Sequence, residues 1–427
     1  MQISDLVRKV AVEVCRLFLA ALFLFSGTVK AIDPVGGAIK IGDYLTSFGL
    51  DSLLPFKEIF SFGLAALEFS LGACVLLGAY RKYTSIVLFV FMLFMTPLTL
   101  YLALFNPVSD CGCFGEALIL TNWQTFYKNI VLLAASIVLL LYNQRMWPCF
   151  TYHAYWFVSA YSYVGCLLFA YYNYNHLPLI DFRPYREGTN IAELLRVPED
   201  APQDEYRYSF IYEKEGVQRT FTLEDAPVED STWTFVDSQT ELIRVGYVSP
   251  VQDFHLYNAV GEEVTDSLLQ APGLTFLLVM PRVEEADDEA IDVINSTYEW
   301  AIEHAVGFQA VTSSSETDIQ QWIDDTGAEY PFLMADDVLL KTIIRSNPGL
   351  VLMREGTLLQ KWHSHDMPSE AYWNLHLPDY LSEKDIKREE EGLRISNLFT
   401  FTLPLLLVWV YDFVRNRRGQ KKKQEKK

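Results

Sequence analysis

Six stretches of mostly apolar residues constrain the fold of this sequence more than any other feature. Five of them fall within the first 173 residues, and the sixth lies close to the C-terminus. A helix of about 20 apolar residues can cross a bilayer, because its backbone polar groups are hydrogen-bonded within the segment. The pattern predicts membrane-spanning helices over residues 14–32, 59–78, 84–104, 126–142, 155–173 and 398–414.

The charge distribution separates the chain into parts of different character. The net charge is −20, yet residues 174–396 alone sum to about −27, so the flanking parts are nearly neutral or basic. A single soluble globule does not show such a division, and an acidic region of this size repels nucleic acid. We therefore expect an integral membrane protein that contacts lipid, carries an acidic soluble region and binds no nucleic acid.

Basic residues in the short loops predict the orientation of the helices. Arg8 and Lys9 precede the first span, Arg81 and Lys82 separate the second from the third, and Arg145 follows the fourth. The C-terminal tail adds eight more basic residues. Such loops stay in the cytoplasm, and six spans place all four basic groups there together. The prediction is a bacterial inner-membrane protein with cytoplasmic termini and a periplasmic soluble region.

The pattern of the soluble region changes twice along the chain. Alternating apolar and polar residues first predict short strands, and then strands alternate with helices before a final hairpin. We expect a membrane bundle at residues 1–174, a β-rich segment at 175–246, an α/β domain at 247–382, a charged linker at 383–397, and the last helix with its basic tail at 398–427.

Four features of the α/β region suggest a fold family. They are Asp253 with Phe254, the apolar run 274–280, the run 330–332 (Tyr-Pro-Phe), and the run 347–349 (Asn-Pro-Gly). Together they resemble the thioredoxin-like fold in its peroxiredoxin and thiol-reductase branch. The resemblance implies that Pro348 is cis, and that Asn347 and Pro348 form a partner-docking site.

The sequence departs from that family at the position where its chemistry occurs. Redox members of the family carry a cysteine just after the strand that matches residues 274–280, whereas this chain continues with Pro281 and Arg282. Residues 167–427 contain no cysteine at all. We therefore expect a binding or positioning module without thiol chemistry of its own.

Cys111 and Cys113 are the strongest candidates for chemistry in the chain. They flank Gly112 in the loop between the third and fourth predicted spans, on the predicted periplasmic side. A disulfide between them would be strained, and strained, accessible disulfides exchange readily. The alternatives are a structural disulfide and a fragment of a metal site. No histidine lies nearby in the sequence, so we predict no metal.

The membrane region carries a second set of motifs. It comprises Arg16, Ser26 with Gly27, Lys30, Asp33 with Pro34, Glu68 with Gly72, Leu77 with Gly78, Arg81, and the Cys-Gly-Cys-Phe-Gly run at 111–115. In this order they resemble the DoxX family of small membrane proteins, and especially its MauE-like branch. The resemblance covers about 40% of the chain and implies a four-helix membrane bundle, to which a fifth and a C-terminal sixth helix are added here.

The same resemblance carries functional implications. Some DoxX relatives are subunits of a thiosulfate:quinone oxidoreductase, and the MauE branch is linked to disulfide formation in exported proteins. The complete arrangement, with a cysteine-free thioredoxin-like domain, resembles uncharacterised DoxX-family proteins of Bacteroides-type bacteria. A quinone is therefore a candidate cofactor.

Glu68 is a carboxylate in the middle of a predicted membrane helix. Such a group is costly in lipid, so it faces the bundle interior or pairs with a cation. Arg16, Glu13 and Lys30 of the first helix are candidate partners. The alternatives are a structural interhelical pair and a proton-relay or quinone-site role.

Two functional hypotheses follow from these residues. The first is a component of periplasmic thiol–disulfide or sulfur-linked electron transfer, an oxidoreductase or a subunit of one. Cys111 and Cys113 would cycle between dithiol and disulfide with a periplasmic protein partner, and Glu68 would assist. The second is a non-enzymatic membrane anchor whose thioredoxin-like domain binds another protein. A transporter has only Glu68 in its favour.

Overall fold

The structure is a computed structural model that describes most of the chain. The described residues are 2–108, 110–196, 198, 201–202, 205–214, 216–222, 225–227, 232–244, 246–247, 251, 254–381 and 403–414. Asp253, the linker 383–397 and the basic tail 415–427 lie outside them.

Long helices form the N-terminal region, as the apolar segments predict. They are α1 (Gln2–Ile32), α2 (Pro34–Ser47), α3 (Lys57–Leu77), α4 (Arg81–Phe105), α5 (Asn122–Tyr142) and α6 (Tyr155–Asn175). The regions of α1, α3, α4 and α5 are long and apolar enough to cross a membrane. Near the C-terminus an apolar helix covers Leu403–Val414. The expected membrane helical bundle is therefore confirmed.

Helix α6 is the predicted fifth span, and it packs against the bundle. Its 21 residues carry six tyrosines, so its apolar character falls short of that of the four long spans. Cys166 and Ala170 of this helix form a buried cluster with Ala31, Ala65 and Ala66 of α1 and α3. Small side chains at this contact let the helices approach closely.

Helix α2 lies between the first two predicted spans, in a segment for which no helix was predicted. Asp33 caps it by accepting a hydrogen bond from the Gly36 amide, and Pro34 occupies its first turn. Both are standard helix-start signals, so the helix could have been predicted. The helix was not predicted because it contains three glycines and its apolar content is modest. The loop between the first two spans is therefore a helix that packs on α3, with Ser61 Oγ donating to the Pro34 carbonyl at 2.8 Å.

Close approach of α1 and α3 fixes the centre of the bundle. A Cβ added to Gly27 would lie 2.5 Å from the Phe69 backbone nitrogen, and one added to Gly72 would lie 2.7 Å from the Leu24 nitrogen. No side chain fits at either position. The two glycines therefore set the separation at which side chains of α1 meet those of α3.

The β-rich segment is a three-stranded antiparallel sheet. Its strands are β1 (Glu205–Lys214), β2 (Val217–Thr222) and β3 (Thr234–Arg244), in the order β2-β1-β3. The predicted strands were shorter and displaced by a few residues. A short helix, α7 (Ile191–Leu195), precedes the sheet.

The α/β region forms a five-stranded sheet with helices on its faces. Its strands are β4 (Leu274–Met280), β5 (Gly307–Thr312), β6 (Phe332–Met334), β7 (Gly349–Arg354) and β8 (Thr357–His363). Its helices are α8 (Thr265–Leu269), α9 (Ile291–Glu303), α10 (Glu316–Thr326), α11 (Asp337–Ile343) and α12 (Glu370–Leu381). The sequence pattern predicts a helix over residues 286–304, and α9 begins five residues later, after two single turns.

The strand order identifies the fold of this region. The order is β6-β5-β4-β7-β8; β4, β5 and β6 are parallel, β7 is antiparallel to β4, and β8 is antiparallel to β7. A parallel βαβ unit joined to an antiparallel hairpin beside its first strand is the thioredoxin-like arrangement. All seven residues of β4 are buried, because apolar clusters pack on both faces of the sheet. The expected α/β domain is confirmed.

Candidate functional site

The cysteine loop lies at the end of the bundle that faces the α/β domain. Asp110 shapes it, because its Oδ1 accepts from the Gly112 amide at 2.8 Å and its Oδ2 lies 2.6 Å from Lys40 Nζ. Gly112 and Gly115 both have positive φ angles, of 62° and 52°. This backbone conformation is rare for residues with a side chain, so the Cys-Gly-Cys spacing favours the tight turn.

The turn brings the two cysteine sulfurs together. Cys111 Sγ and Cys113 Sγ are 3.0 Å apart, and both cysteines are free thiols. A hydrogen bond from the Cys111 thiol stabilises the Cys113 thiolate, and Lys128 and Lys30 add a favourable field. Together these effects hold the pKa of Cys113 below its usual value. The pKa of Cys111 rises, because its proton is held in this hydrogen bond and the residue is buried.

Tyr44 of α2 is a second contact of the loop. Its hydroxyl donates to the Cys111 carbonyl at 2.8 Å. Nothing in the sequence pattern distinguished Tyr44, since α2 itself was not predicted. With Lys40, which binds Asp110, it makes α2 the support for one side of the cysteine loop.

Glu68 pairs with Lys30, one of its expected partners. Lys30 Nζ donates to both carboxylate oxygens, at 2.6 and 2.7 Å, and both residues are buried. The other two candidates do not reach it: Arg16 forms an ion pair with Glu13 at 2.8 Å and donates to the Trp147 carbonyl. The interhelical pair is therefore present, and the relay role stays a prediction.

Ser26 connects this ion pair to the cysteine loop. Its hydroxyl oxygen lies 2.6 Å from Glu68 Oε2 and 2.6 Å from the Cys113 carbonyl oxygen. Its single proton serves one of these acceptors at a time. The Glu68 carboxylate reaches the loop through the Ser26 hydroxyl, and its negative charge also opposes the lowering of the Cys113 pKa. Glu68 is thus a positioning residue in this geometry.

A small cavity inside the bundle adjoins Cys113 and Glu68. Its volume is about 30 Å³, and its walls are mainly aromatic and aliphatic. Lys128 borders it and lies 4.2 Å above the Phe114 ring. An apolar cavity of roughly 150 Å³ is needed to hold even a benzene ring. A quinone therefore does not fit this cavity.

A larger space, the interdomain chamber, lies between the bundle and the α/β domain. It has a volume of about 530 Å³ and is bordered by α2, by the loop residues Gly112, Gly115 and Glu116, and by α11. The two cysteine side chains do not border it. Its charged walls do not suit an apolar quinone ring either.

The face of the α/β domain that was predicted to dock a partner is turned toward the bundle. The Asn347–Pro348 bond is cis, as the resemblance implied. Asn347 Nδ2 donates to the Arg282 carbonyl at 2.7 Å, so the cis-proline loop lies beside the end of β4. Asn347 borders a cleft of about 370 Å³, the cis-proline cleft, whose other wall includes Val35 and Ala38 of α2. The docking site therefore meets the chain's own membrane domain.

Arg345 joins the two domains directly. Its guanidinium binds Asp33, at the start of α2, with Nη2 and Oδ2 3.0 Å apart, and Glu116 of the cysteine loop at 3.1 Å. The Arg345 side chain is almost fully buried, and the two carboxylates hold its pKa above the usual value despite its burial. Nothing in the sequence pattern distinguished this arginine, because its partners lie more than 200 residues away.

Among the described residues, one cluster has the composition of a metal site. Asp287, Glu289 and His365 offer ligand atoms within 4.8 Å of one another. Asp287 already accepts from the Ser364 hydroxyl at 2.9 Å, and two of the three residues are exposed. This arrangement does not separate the cluster from ordinary surface ion pairing, and the prediction of no metal stays a prediction.

Comparisons with known proteins address the two halves of the chain separately. Residues 206–245, which include the three-stranded sheet, match a domain family of unknown function, DUF8463. A solved structure from Bacteroides thetaiotaomicron, described as a proposed protein disulfide isomerase, is similar at 17% identity. The match covers 32% of this chain and 88% of that chain, with a TM-score of 0.24. A search of curated proteins found no match.

The membrane region gives the more specific comparison. Residues 8–142, from the first helix through α5, match the family described as methylamine utilisation protein MauE. This range contains the cysteine loop, the Lys30–Glu68 pair and Ser26. The wider DoxX resemblance stays a prediction. Over these residues, about a third of the chain, the protein is thus similar to the MauE family.

Proposed function

We propose that the protein is a membrane component of periplasmic thiol–disulfide or sulfur-linked electron transfer, and that Cys111 and Cys113 carry the electrons. The observation that carries the proposal is the pair of sulfurs, 3.0 Å apart and supported by residues of α1, α2 and α3. A disulfide between residues two positions apart closes almost no loop of chain and therefore stabilises the fold very little. Stability thus does not explain why the two cysteines lie together.

Exchange begins at Cys113, which is the better nucleophile of the two at neutral pH. Its thiolate attacks one sulfur of a partner disulfide, the partner S–S bond breaks, and a mixed disulfide forms. Cys111 then attacks the Cys113 sulfur and its proton passes to a departing partner thiolate. The loop becomes a disulfide and the partner becomes a dithiol. The reverse sequence oxidises a partner dithiol, with the same two electrons and the same atoms.

Ser26, Lys30 and Glu68 position this loop. Ser26 holds the Cys113 carbonyl, and the Lys30–Glu68 pair fixes Ser26. Because α1 and α3 carry these residues, the rigid bundle core determines where Cys113 lies. This is the role that we assign to Glu68 in place of direct contact with a sulfur.

The arrangement of the chain supports a periplasmic location. The cysteine loop and the α/β domain lie at one end of the bundle, joined through Arg345 and Glu116. Arg81 lies at the other end, where it donates to the Met146 carbonyl, and Thr151 donates there to Asp412 near the C-terminus. The basic loops predict that this second end is cytoplasmic.

Mixed-disulfide trapping tests the proposal. In a Cys111→Ala variant, Cys113 can attack a partner but nothing can release it, so a higher-mass adduct accumulates that a reductant removes. Cys113→Ala is the matched control and should trap far less, because the remaining thiol is buried and keeps its proton. Absence of adducts in both variants, with both proteins folded in the membrane, would refute thiol exchange.

A non-enzymatic anchor is the second candidate function. Two observations favour it: residues 167–427 contain no cysteine, and the α/β domain places its cis-proline face on its own bundle. If the protein is a non-enzymatic anchor, the Cys111→Ser/Cys113→Ser double variant would keep full activity in the cell. Loss of activity with normal protein abundance would favour the redox proposal instead.

A further inference from the structure

The interdomain chamber and the cis-proline cleft are neighbouring spaces with part of their walls in common. The chamber holds about 530 Å³ and the cleft about 370 Å³. Five described residues border both, and they therefore lie at the passage from one to the other: Ile39, Lys57, Arg282, Lys341 and Arg345.

Four of these five residues are cations. Among the described residues, no carboxylate borders both spaces. Lys57 begins α3 in the membrane domain, Arg282 follows β4, and Lys341 with Arg345 comes from α11 and its end. This cationic passage, defined by these four residues, draws three of them from the soluble region, whose net charge is about −27.

Three of the four cations are held only by weak local ion pairs. Lys57 lies 3.7 Å from its neighbour Glu58. Arg282 pairs with Glu285 three residues on, and Lys341 with Asp337 four residues back. Partly or fully exposed ion pairs between near neighbours in the sequence contribute about 0.2–1 kcal/mol each, so they yield readily to a stronger anion. Arg345 differs, since it is buried and holds the domains together.

We propose that the cationic passage binds an oxyanion, the phosphate or carboxylate group of a small molecule or of a lipid headgroup. Three cations from separate elements converge on a space large enough for such a group, and lysine and arginine side chains are its natural partners. A free anion can enter through the chamber. A headgroup can enter because Lys57 begins a membrane-spanning helix.

The site has a consequence for the rest of the molecule. Its ligand would contact the bundle through Lys57 and the α/β domain through Arg282 and Lys341, and would therefore strengthen the contact between domains. The chamber also borders Gly112, between the two cysteines. This proposal goes beyond the proposed function and does not depend on it, because it concerns binding and not electron transfer.

Thermal unfolding of the full-length protein tests the proposal in two arms. In neutral detergent, inorganic phosphate is titrated at constant ionic strength, with chloride as the balancing salt. In nanodiscs, phosphatidylglycerol is compared with phosphatidylcholine. A ligand that binds only the folded state raises the melting temperature. We expect a saturable rise in melting temperature in at least one arm. A rise with phosphate only indicates that the ligand is a free anion, and a rise with phosphatidylglycerol only indicates a lipid headgroup.

Charge-matched variants distinguish the passage from general charge effects. Arg282→Gln/Lys341→Gln should raise the ligand concentration at half-saturation at least about tenfold. Lys57→Gln, which leaves the α/β domain unchanged, should raise that concentration several-fold. Arg207→Gln/Arg219→Gln removes two exposed cations of the three-stranded sheet and should change nothing. The proposal is overturned if neither arm shows a rise in melting temperature, or if both passage variants respond as the unmodified protein does.

Discussion

At the level of single residues, the reactivity of Cys113 depends on its neighbour. The Cys111 thiol donates to the Cys113 sulfur, and this hydrogen bond is the largest cause of the lowered pKa of Cys113. A lowered pKa means that the thiolate is present at lower pH than in an ordinary cysteine. The reactivity of the reduced loop should therefore persist below the usual cysteine range.

Removing the donor should raise the pKa of Cys113. In a Cys111→Ala variant, the pH at half-maximal modification of Cys113 should move upward, since the thiolate loses its hydrogen bond. Cys111→Ser keeps a hydroxyl donor and should show a smaller shift. The measurement is the rate of reaction with methyl methanethiosulfonate against pH, followed by mass spectrometry of the Cys113 peptide. Equal pH midpoints in all three proteins would show that the hydrogen bond does not control the thiolate.

The Lys30–Glu68 pair should be far more sensitive to single than to paired substitution. Glu68→Gln or Lys30→Met leaves one buried charge without its partner, which costs about 3–5 kcal/mol. The Lys30→Met/Glu68→Gln double variant removes both charges and should cost clearly less than the two single changes together. Denaturant unfolding in mixed micelles measures this difference.

Glu58→Gln, at the exposed start of the same helix, is the control for that comparison. It should change the unfolding free energy by no more than about 0.5 kcal/mol. If the costs of the Lys30 and Glu68 substitutions simply add, the two groups are independent, and Glu68 does not position the loop through this pair.

At the level of elements, the separation of α1 and α3 determines where the site lies. Gly27→Ala would force the helices apart, because its Cβ would meet the Phe69 backbone at 2.5 Å. We expect a loss of about 1–3 kcal/mol in the unfolding free energy. The Ser26–Glu68 contact beside it should also weaken, so trapping through Cys113 should fall.

Gly63→Ala is the matched control within α3, since nothing lies within 4 Å of a Cβ there. Alanine favours helix over glycine by up to about 1 kcal/mol, so this variant should be neutral or slightly more stable. Equal destabilisation by both substitutions would show that helix separation at Gly27 is not the cause.

The elements also show what the sequence could and could not predict. The long spans and β4 were predictable, because uninterrupted apolar runs in bilayers and buried sheets follow simple rules. Helix α2 was missed, although Asp33 and Pro34 marked its start. The sequence predicted three candidate partners for Glu68. Only the structure distinguishes Lys30 from Arg16, since both lie on α1.

At the level of the whole molecule, Arg345 holds the α/β domain on the bundle. Arg345→Gln should leave Asp33 and Glu116 without their shared cation and loosen the contact. We expect amide hydrogen exchange in Pro34–Ser47 and in the cysteine loop to quicken by at least about tenfold, since losing 1.4 kcal/mol corresponds to that factor. Hydrogen–deuterium exchange with mass spectrometry measures it.

Arg354→Gln is the control for that variant, since Arg354 bonds the Tyr380 carbonyl inside the α/β domain. Amide hydrogen exchange in α2 should not change in the Arg354→Gln variant. If Arg345→Gln also leaves α2 and the cysteine loop unchanged, other contacts hold the domains together and Arg345 is not their main link.

This docking could not be predicted from the sequence. Sequence patterns report periodicity over tens of residues, whereas the Arg345–Asp33 contact spans 312 positions. The thioredoxin-like resemblance predicted which face would engage a partner. It could not show that the partner includes the chain's own helix α2, because that contact depends on how two separately folded regions meet.

The redox state of the cysteine loop in intact cells tests the central claim most directly. Cys111 and Cys113 are labelled with a membrane-impermeant maleimide before a brief dithiol pulse, after it, and after washout, and their peptides are quantified by mass spectrometry. We predict a pair that starts unreactive, becomes labelled from outside the inner membrane after reduction, and returns to the unreactive state within minutes. A pair that stays unlabelled throughout, or that is labelled only after the inner membrane is permeabilised, would contradict the account.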